Sequence, residues 1–511
     1  MDKSQSYSTI ISNKKIIATL KKVWIKSIAI IVCAVILSAV IGVIQYKQEK
    51  IGVYTTNPQY YHGYIYVSAN WDDEPQLDDA SIENMYEKYA VQSYIEQKHN
   101  DIINETRMLL YEDEIKAELN KRLEELSTLD LSKYDLIKTE KLEDINSIGL
   151  LLKHKKSGAR VVIITNDDEN KVFSIGFKTP PYNNTGLQHI IEHSTLCGSR
   201  KYPVKDPFVE LCKGSLNTFL NAMTYPDKTV YPVASCNDAD FKNITDVYMD
   251  AVFYPNIYKV PEIFKQEGWH YELENAEDDI KFNGVVFNEM KGVYSSPDDV
   301  LSRQTFVSLF PDTAYKNESG GVPSQIPDLT YQEFLDYHKN YYHPVNSYIY
   351  IYGDIDVQER LDYLDKDYLS AFDKDSVSIN SDIELQKPFD EVKYETHKYS
   401  ITDDEPLTDN TYLSYNMVVG TSLDDKLYLA MQILDYALIL APGAKLKQAL
   451  LDKGIGTDIE SSYESSMYQP MYSIIAKNAQ QDQRDEFVKV VREVLTDIVE
   501  NGIDERMILA G

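Results

Sequence analysis

Hydrophobic and polar residues follow distinct patterns along the chain, and the first is an uncharged run near the N-terminus. Residues 27–46 are twenty positions without a charge, enough for a helix to cross the hydrocarbon of a bilayer. Six lysines and one acid precede this run, and Trp24 and Tyr46 stand at its ends. Because basic residues stay inside, the pattern predicts a cytoplasmic tail at 1–26, a single transmembrane helix at 27–46, and a chain that otherwise lies outside the cytoplasm. A cleaved signal peptide and a buried soluble helix are the alternatives, and an artefactual segment would leave the protein cytoplasmic.

The next pattern, at 47–126, indicates a strand and an acidic helical extension. Residues 60–71 alternate apolar and polar side chains like a short strand, and residues 82–126 are helical in pattern, with Glu118 and Arg122 spaced to pair. An anchor, a short strand and a long helix weakly resemble the start of bacterial polysaccharide chain-length-determinant proteins. That resemblance implies a membrane protein of polysaccharide chain-length control as one alternative function.

From about residue 127 the pattern changes to short alternating strands mixed with amphipathic helices. Gly158 marks a hairpin turn. The stretch GLQHIIEHSTLCGS lies on a predicted helix, and Asn184 or Thr185 can cap the N-terminus of that helix. A further strand is predicted at 347–352. Strands and helices mixed within one unit predict an α+β domain at 127–375.

A polar linker at 376–394 precedes a second region with the same alternation. Residues 395–511 contain a strand, a helix at 426–440, another strand and a helix at 484–500. They carry no equivalent of the histidines in the earlier helix. We therefore predict an α+β fold of two similar sheet-plus-helices domains, of which only the first carries chemistry.

Charge narrows the class of partner. The formal net charge is −30, which argues against nucleic acid as a partner of the soluble part. The four cysteines show no C-x-x-C spacing, so they are interpreted as ordinary thiols.

The histidine-bearing helix is the candidate for chemistry. Positions i and i+4 lie on the same face of a helix, so His189 and His193 can bind one metal ion, and Glu192 stays on that face without needing to bind it. The opposite face is an apolar stripe of Leu187, Ile190 and Ile191. Two surface histidines on an amphipathic helix are the alternative interpretation. A catalytic zinc needs a third protein ligand, and the candidate is Glu289 in FNGVVFNEMKGVYSS.

The stretches HIIEH, SLNTFLNAMTYPDKTVYPVAS, FKQEGWHYELE and GVVFNEMKG closely resemble the inverted-zincin metallopeptidases of the pitrilysin and insulinase superfamily, in particular the presequence-protease branch. The likeness runs from about residue 127 to 511. It implies that His189, His193 and Glu289 bind one Zn²⁺ per chain and that Glu192 is the general base. It also implies that residues 217–224 form an edge strand that pairs with an extended, unstructured peptide substrate. The substrate-binding residues would be Asn217, Asn221, Ala222, Met223 and Thr224.

The sequence departs from the family in two ways. Members of this branch continue into a second half of similar size, whereas this chain ends at DERMILAG, and the family lacks the N-terminal 126 residues. A catalytically incomplete peptide-binding half-protease that needs a second chain is therefore an alternative function. Other branches carry an acid where this chain has Phe282, and Glu267 in QEGWH is interpreted either as a structural or helix-capping carboxylate or as a catalytic one.

Overall fold

The computed structural model describes residues 115–402, 405–406, 408–504 and 507–508. The strands are β1 (Tyr134–Leu142), β2 (Ser147–His154), β3 (Arg160–Thr165), β4 (Lys171–Lys178), β5 (Asn217–Leu220), β6 (Met223–Thr224), β7 (Lys228–Ser235), β8 (His270–Glu272), β9 (Lys281–Asn283), β10 (Ser347–Gly353), β11 (Thr411–Val418), β12 (Asp458–Glu464) and β13 (Met471–Ala479). The helices are α1 (115–126), α2 (Leu187–Thr195), α3 (Pro207–Gly214), α4 (Asp238–Phe253), α5 (Glu262–Glu267), α6 (Val285–Val293), α7 (Pro297–Leu309), α8 (Tyr331–Tyr341), α9 (Val357–Tyr363), α10 (Asp425–Asp435), α11 (Lys445–Asp452) and α12 (Arg484–Asn501).

The larger sheet has the strand order β1-β2-β3-β10-β4-β7-β5, and β6 also pairs with β7. Neighbouring strands are antiparallel except β3 and β10, which are parallel. Burial alternates along β3 and β10, because successive side chains of a strand point to opposite faces and only one face meets the helices. The hairpin predicted at Gly158 is confirmed between β2 and β3, where this glycine has φ +75°.

Helices cover the buried face of this sheet and build the main core. Several helices begin at side-chain caps. At the start of α4, Asn237 accepts a hydrogen bond from the backbone of Asp240, and Thr330 and Glu333 form a capping box at the start of α8. The fully buried apolar side chains include Ile163, Phe173 and Ile349 from strands and Ile190, Ile191, Phe241, Ile244 and Phe334 from helices. The predicted apolar stripe of α2 is thus part of the core.

The second sheet is smaller, with the order β11-β13-β12, and α10, α11 and α12 accompany it. The described residues between 377 and 410 contain no helix or strand. The linker at 376–394 and the other predicted domain boundaries stay predictions. The segment Asp425–Asp452 is long and apolar enough to cross a membrane. Because core helices of soluble proteins meet the same criterion, we do not assign this segment as a membrane span. The mixed α+β class is confirmed.

The two sheet regions share contacts within one compact unit, Asp113–Gly502. Phe310, Tyr315, Met467 and Met471 form a small second core. The Tyr315 hydroxyl donates to Asp227 Oδ2 at 2.6 Å and accepts from the backbone N–H of Tyr468 at 2.7 Å. The Tyr315 hydroxyl therefore links the two sheet regions through hydrogen bonds to Asp227 and Tyr468.

The N-terminal predictions fall largely outside the described residues. The cytoplasmic tail 1–26, the transmembrane helix 27–46 and the strand at 60–71 lie outside them altogether. Of the helical extension, residues 115–126 are helical as predicted, and Arg122 pairs with Glu118 at 2.8 Å. Helix α1 also reaches the core, because Leu119 is fully buried within it.

The predicted cap of α2 is wrong. Neither Asn184 nor Thr185 caps the helix; the N-cap is Gly186, at φ +68° and without a side-chain bond. A Cβ at Gly186 would lie 2.6 Å from the carbonyl oxygen of Gly320, so this position allows a close backbone approach that a capping side chain would block.

Candidate metal centre

Helix α2 presents the two histidines side by side, as its 3.6-residue period requires. Leu187, Ile190 and Ile191 are buried, which fixes the rotation of the helix against the core. The His189 and His193 rings lie 4.8 Å apart between centroids at 81° to each other. Both rings therefore face the same side, away from the apolar stripe.

Glu289 reaches this pair from a separate helix, α6. Its Oε2 atom lies 3.7 Å from the Nε2 atom of His189 and 3.7 Å from the Nε2 atom of His193. One ligand atom from each of the three residues lies within 4.8 Å of the others. Zinc bonds of about 2.0–2.1 Å place tetrahedral ligand atoms roughly 3.3 Å apart, so this donor set of two imidazoles and a carboxylate fits a zinc ion. We call these three residues the metal cluster.

Each histidine has a second contact behind it. The Nδ1 atom of His193 lies 3.3 Å from Oε2 of Glu267, and the Nδ1 atom of His189 lies 3.4 Å from the carbonyl oxygen of Gly320. Acceptors at both Nδ1 atoms favour the tautomer with the proton there. Both Nε2 atoms are then left with a lone pair directed at Glu289.

Close contacts at two glycines bring the elements of the site together. A Cβ at Gly284, which precedes α6, would lie 2.1 Å from the carbonyl oxygen of Gly268, which follows α5. A Cβ at Gly268 would lie 3.2 Å from the side chain of Ile190 in α2. Glycine at both positions therefore lets α5 and α6, which carry Glu267 and Glu289, approach the histidine helix.

Glu192 lies beside the metal cluster on α2 and is tied to the neighbouring strand. Its Oε2 atom accepts a hydrogen bond from the Thr224 hydroxyl at 2.7 Å, and the residue is buried. Thr224 belongs to β6, so the carboxylate of Glu192 and the end of the predicted peptide-binding strand meet at one point.

The predicted substrate-binding residues lie along one edge of the larger sheet. Asn217 pairs opposite Ser235 of β7, and Thr224 pairs opposite Thr229. Six residues of strand separate these two positions, or roughly 20 Å at 3.3–3.4 Å per residue. The edge therefore runs from Asn217 past Asn221, Ala222 and Met223 to Thr224, and its Thr224 end meets helix α2 through Glu192.

The electrostatics of the two histidines differ. Burial, followed by the adjacent His193, lowers the pKa of His189. Burial also opposes protonation of His193, but the carboxylates of Glu267, Glu192 and Glu289 outweigh it and raise its pKa. Burial likewise opposes ionisation of Glu267, but hydrogen bonds from His193 and Gln266 outweigh it and lower its pKa.

Some contacts of this site cannot be assigned from sequence. The position of Glu267 in QEGWH, close to Gly268, indicates a functional or structural carboxylate without deciding between the two roles. The contact of Thr224 with Glu192 was not expected. The Gly320 carbonyl has no signal in sequence, because every residue carries a backbone oxygen.

The family model described as a peptidase M16 inactive domain matches residues 328–508. That match lies beyond the histidine helix and Glu289. Protein HypA of Clostridium perfringens is 51% identical over 379 residues, which cover 74% of this chain and 39% of the relative. The chloroplastic/mitochondrial presequence protease 1 of Arabidopsis thaliana is 44% identical over 373 residues, covering 73% and 34%.

The chain thus spans between a third and two fifths of the length of these relatives. A crystal structure of pitrilysin matches with a TM-score of 0.51 at 17% identity, covering 73% of this chain and 39% of that one, and shows the same fold. The predicted resemblance is confirmed: over about three quarters of its length, this chain resembles the pitrilysin and insulinase family of peptidases.

Proposed function

We propose that this chain is a zinc metalloendopeptidase that hydrolyses short, unstructured peptides. The observation that carries the proposal is the convergence of three ligand atoms from His189, His193 and Glu289 within 4.8 Å, with the carboxylate of Glu192 on the same helix. His189, His193 and Glu289 would hold the zinc ion, which would supply Lewis-acid chemistry at this site.

The remaining chemistry belongs to the chain's own groups. Glu192 takes the proton of the attacking water and passes it to the leaving amine, which is general acid–base catalysis. The Thr224 hydroxyl, at 2.7 Å, holds the Glu192 carboxylate in place. The edge formed by β5 and β6 pairs with the extended backbone of the peptide, which excludes folded proteins as substrates because their backbones are already paired.

A peptide-binding half-site that needs a second metallopeptidase half is the second candidate. The observation that favours it is the openness of the site: the Glu289 side chain is 48% exposed, and Phe219 on the β5 edge is exposed as well. In that case zinc binds to this chain but turnover requires protein from another chain to enclose the peptide.

We also propose that residues 27–46 anchor the protein in a membrane with its N-terminus in the cytoplasm. The proposal is supported by the uncharged run and the lysines before it. It is independent of the chemistry above, and partitioning of the full chain into a membrane fraction would test it.

Zinc content and turnover test the catalytic proposal together. We expect about one zinc per purified chain and strongly reduced zinc in His189→Ala. Glu192→Gln should keep the zinc and lower the turnover of an unstructured reporter peptide by roughly 10²–10⁴-fold. A wild-type chain without zinc would overturn the proposal, whereas a zinc-loaded chain without turnover would favour the half-site.

A further inference from the structure

We propose that Glu267 is a positioning residue, which orients His193 so that its Nε2 atom faces the metal. This inference rests on the proposed function, because it concerns the same site. Glu267 is the last residue of α5 and is only 6% exposed. Its Oε2 atom lies 3.3 Å from Nδ1 of His193, on the side of the ring opposite to Glu289.

The contact determines which nitrogen of His193 is available. A carboxylate accepts a hydrogen bond and cannot donate one when ionised, so Nδ1 must carry the proton. Nε2 then has a free lone pair, and it lies 3.7 Å from Oε2 of Glu289. His189 has only the weaker acceptor at its Nδ1, the neutral carbonyl of Gly320 at 3.4 Å. The carboxylate behind His193 therefore contributes more to orientation and ligand basicity than the carbonyl behind His189.

Helix capping does not explain a glutamate at this position. A helix C-terminus carries a partial negative charge, so a carboxylate in the last turn is repelled by the helix dipole. The side chain must therefore be compensated from outside its own helix. Among the described residues, His193 is its one ion-pair partner.

The other contacts of Glu267 are neutral donors. Its Oε1 atom accepts from the Gln266 side chain at 2.7 Å and from the Cys197 thiol at 3.5 Å. A buried carboxylate with neutral donors alone is costly, because ionised groups lose their hydration on burial. When Nε2 of His193 binds a cation, the Nδ1–H of the same ring becomes a stronger donor to Glu267. This contact then offsets the cost of burying the carboxylate, as expected for a positioning residue.

Zinc affinity measures this role without relying on activity. The full chain is loaded with zinc, and its dissociation constant is measured by competition with a chromogenic chelator for wild type, Glu267→Gln and Glu262→Gln. Glu262 lies on the same helix but is exposed, so it is the matched control. We expect Glu267→Gln to weaken zinc binding by about 10–100-fold and Glu262→Gln by less than about twofold.

The outcomes separate this inference from the proposed function. Wild-type affinity in Glu267→Gln would overturn the positioning role while leaving the zinc site intact. A wild-type chain that binds no zinc would overturn the proposed function itself. Circular dichroism of the metal-free proteins checks that the Gln variant is folded. If it is not, Glu267→Asp replaces it: its shorter side chain should weaken zinc binding about 10-fold, and unchanged affinity would overturn the inference.

Discussion

Two histidine clusters of this protein look alike in chemistry and differ in access. In the first, which we call the His154 cluster, His154 Nδ1 lies 2.8 Å from the Ser157 hydroxyl and Nε2 lies 3.0 Å from Asp365 Oδ1. A serine, a histidine and an aspartate in this order have the contacts of a nucleophile, a base and an orienting acid. The second is the metal cluster of His189, His193 and Glu289.

Burial separates their roles. His154 is 1% exposed and Ser157 is fully buried, so no substrate reaches the serine. The backbone N–H of Ser157 also donates to His154 Nδ1, which leaves both ring nitrogens satisfied by protein. In the metal cluster only the Nδ1 atoms have such partners, and both Nε2 atoms face Glu289. A set of reactive residues therefore needs ring nitrogens that are not already hydrogen-bonded within the protein, and it needs access from solvent.

The largest effect is expected from a backbone change that displaces one ligand, Glu289, from the metal cluster. In Gly284→Ala the new Cβ would lie 2.1 Å from the carbonyl oxygen of Gly268, so α6 must shift and carry Glu289 with it. We expect zinc affinity to fall by about 100-fold, measured by chelator competition, because a three-ligand site loses one ligand.

Gly292→Ala is the control for that variant. Gly292 lies on the same helix, and a Cβ there would meet nothing within 4 Å. Zinc affinity should remain that of wild type. Equal zinc affinity in the two variants would mean that the close approach of α6 does not assemble the site.

The His154 cluster can be tested by removing its hydroxyl. Ser157→Ala deletes the hydrogen bond to His154 and should lower the free energy of unfolding by about 1–2 kcal/mol, measured by urea denaturation. Turnover of a reporter peptide should stay within about twofold of wild type, because Ser157 is sealed from substrate. A loss of turnover in a folded, zinc-loaded variant would contradict the structural role.

The smallest expected effect is a dependence of stability on pH. Burial lowers the pKa of His154 despite its bond to Asp365, so the folded state keeps this ring neutral. In the unfolded chain the pKa of this histidine is about 6.5, so below that pH the unfolded chain binds a proton that the folded chain does not bind. The contribution of His154 to the free energy of unfolding is therefore complete above that pH and is lost as the pH falls.

Urea denaturation at pH 7.5 and pH 5.5 measures this effect. Wild type should lose more stability between the two values than His154→Gln. Burial raises the pKa of Asp365, but hydrogen bonds from Ser370 and His154 outweigh it and lower the value, so its own titration lies below this window. Equal losses in the two proteins would show that His154 is charged in the folded state.

Much of the fold could be predicted because its signals are local. The apolar stripe of α2, the hairpin at Gly158 and the strand at 347–352 follow from periodicity and turn residues, and the structure contains all three. The cap of α2 could not be predicted. Its position depends on Gly320, which approaches Gly186 through space and lies far away in sequence.

Helical spacing alone places His189, Glu192 and His193 on one face of α2, because it is a property of a few consecutive residues. Which carboxylates meet that face depends on contacts between distant segments of the chain. Glu289 and Glu267 arrive there because Gly284 and Gly268 allow backbones to touch, and a contact between distant segments leaves no periodic trace. The same reason applies to His154, whose chemistry is visible in its residue type but whose burial depends on the strands and helices packed around it.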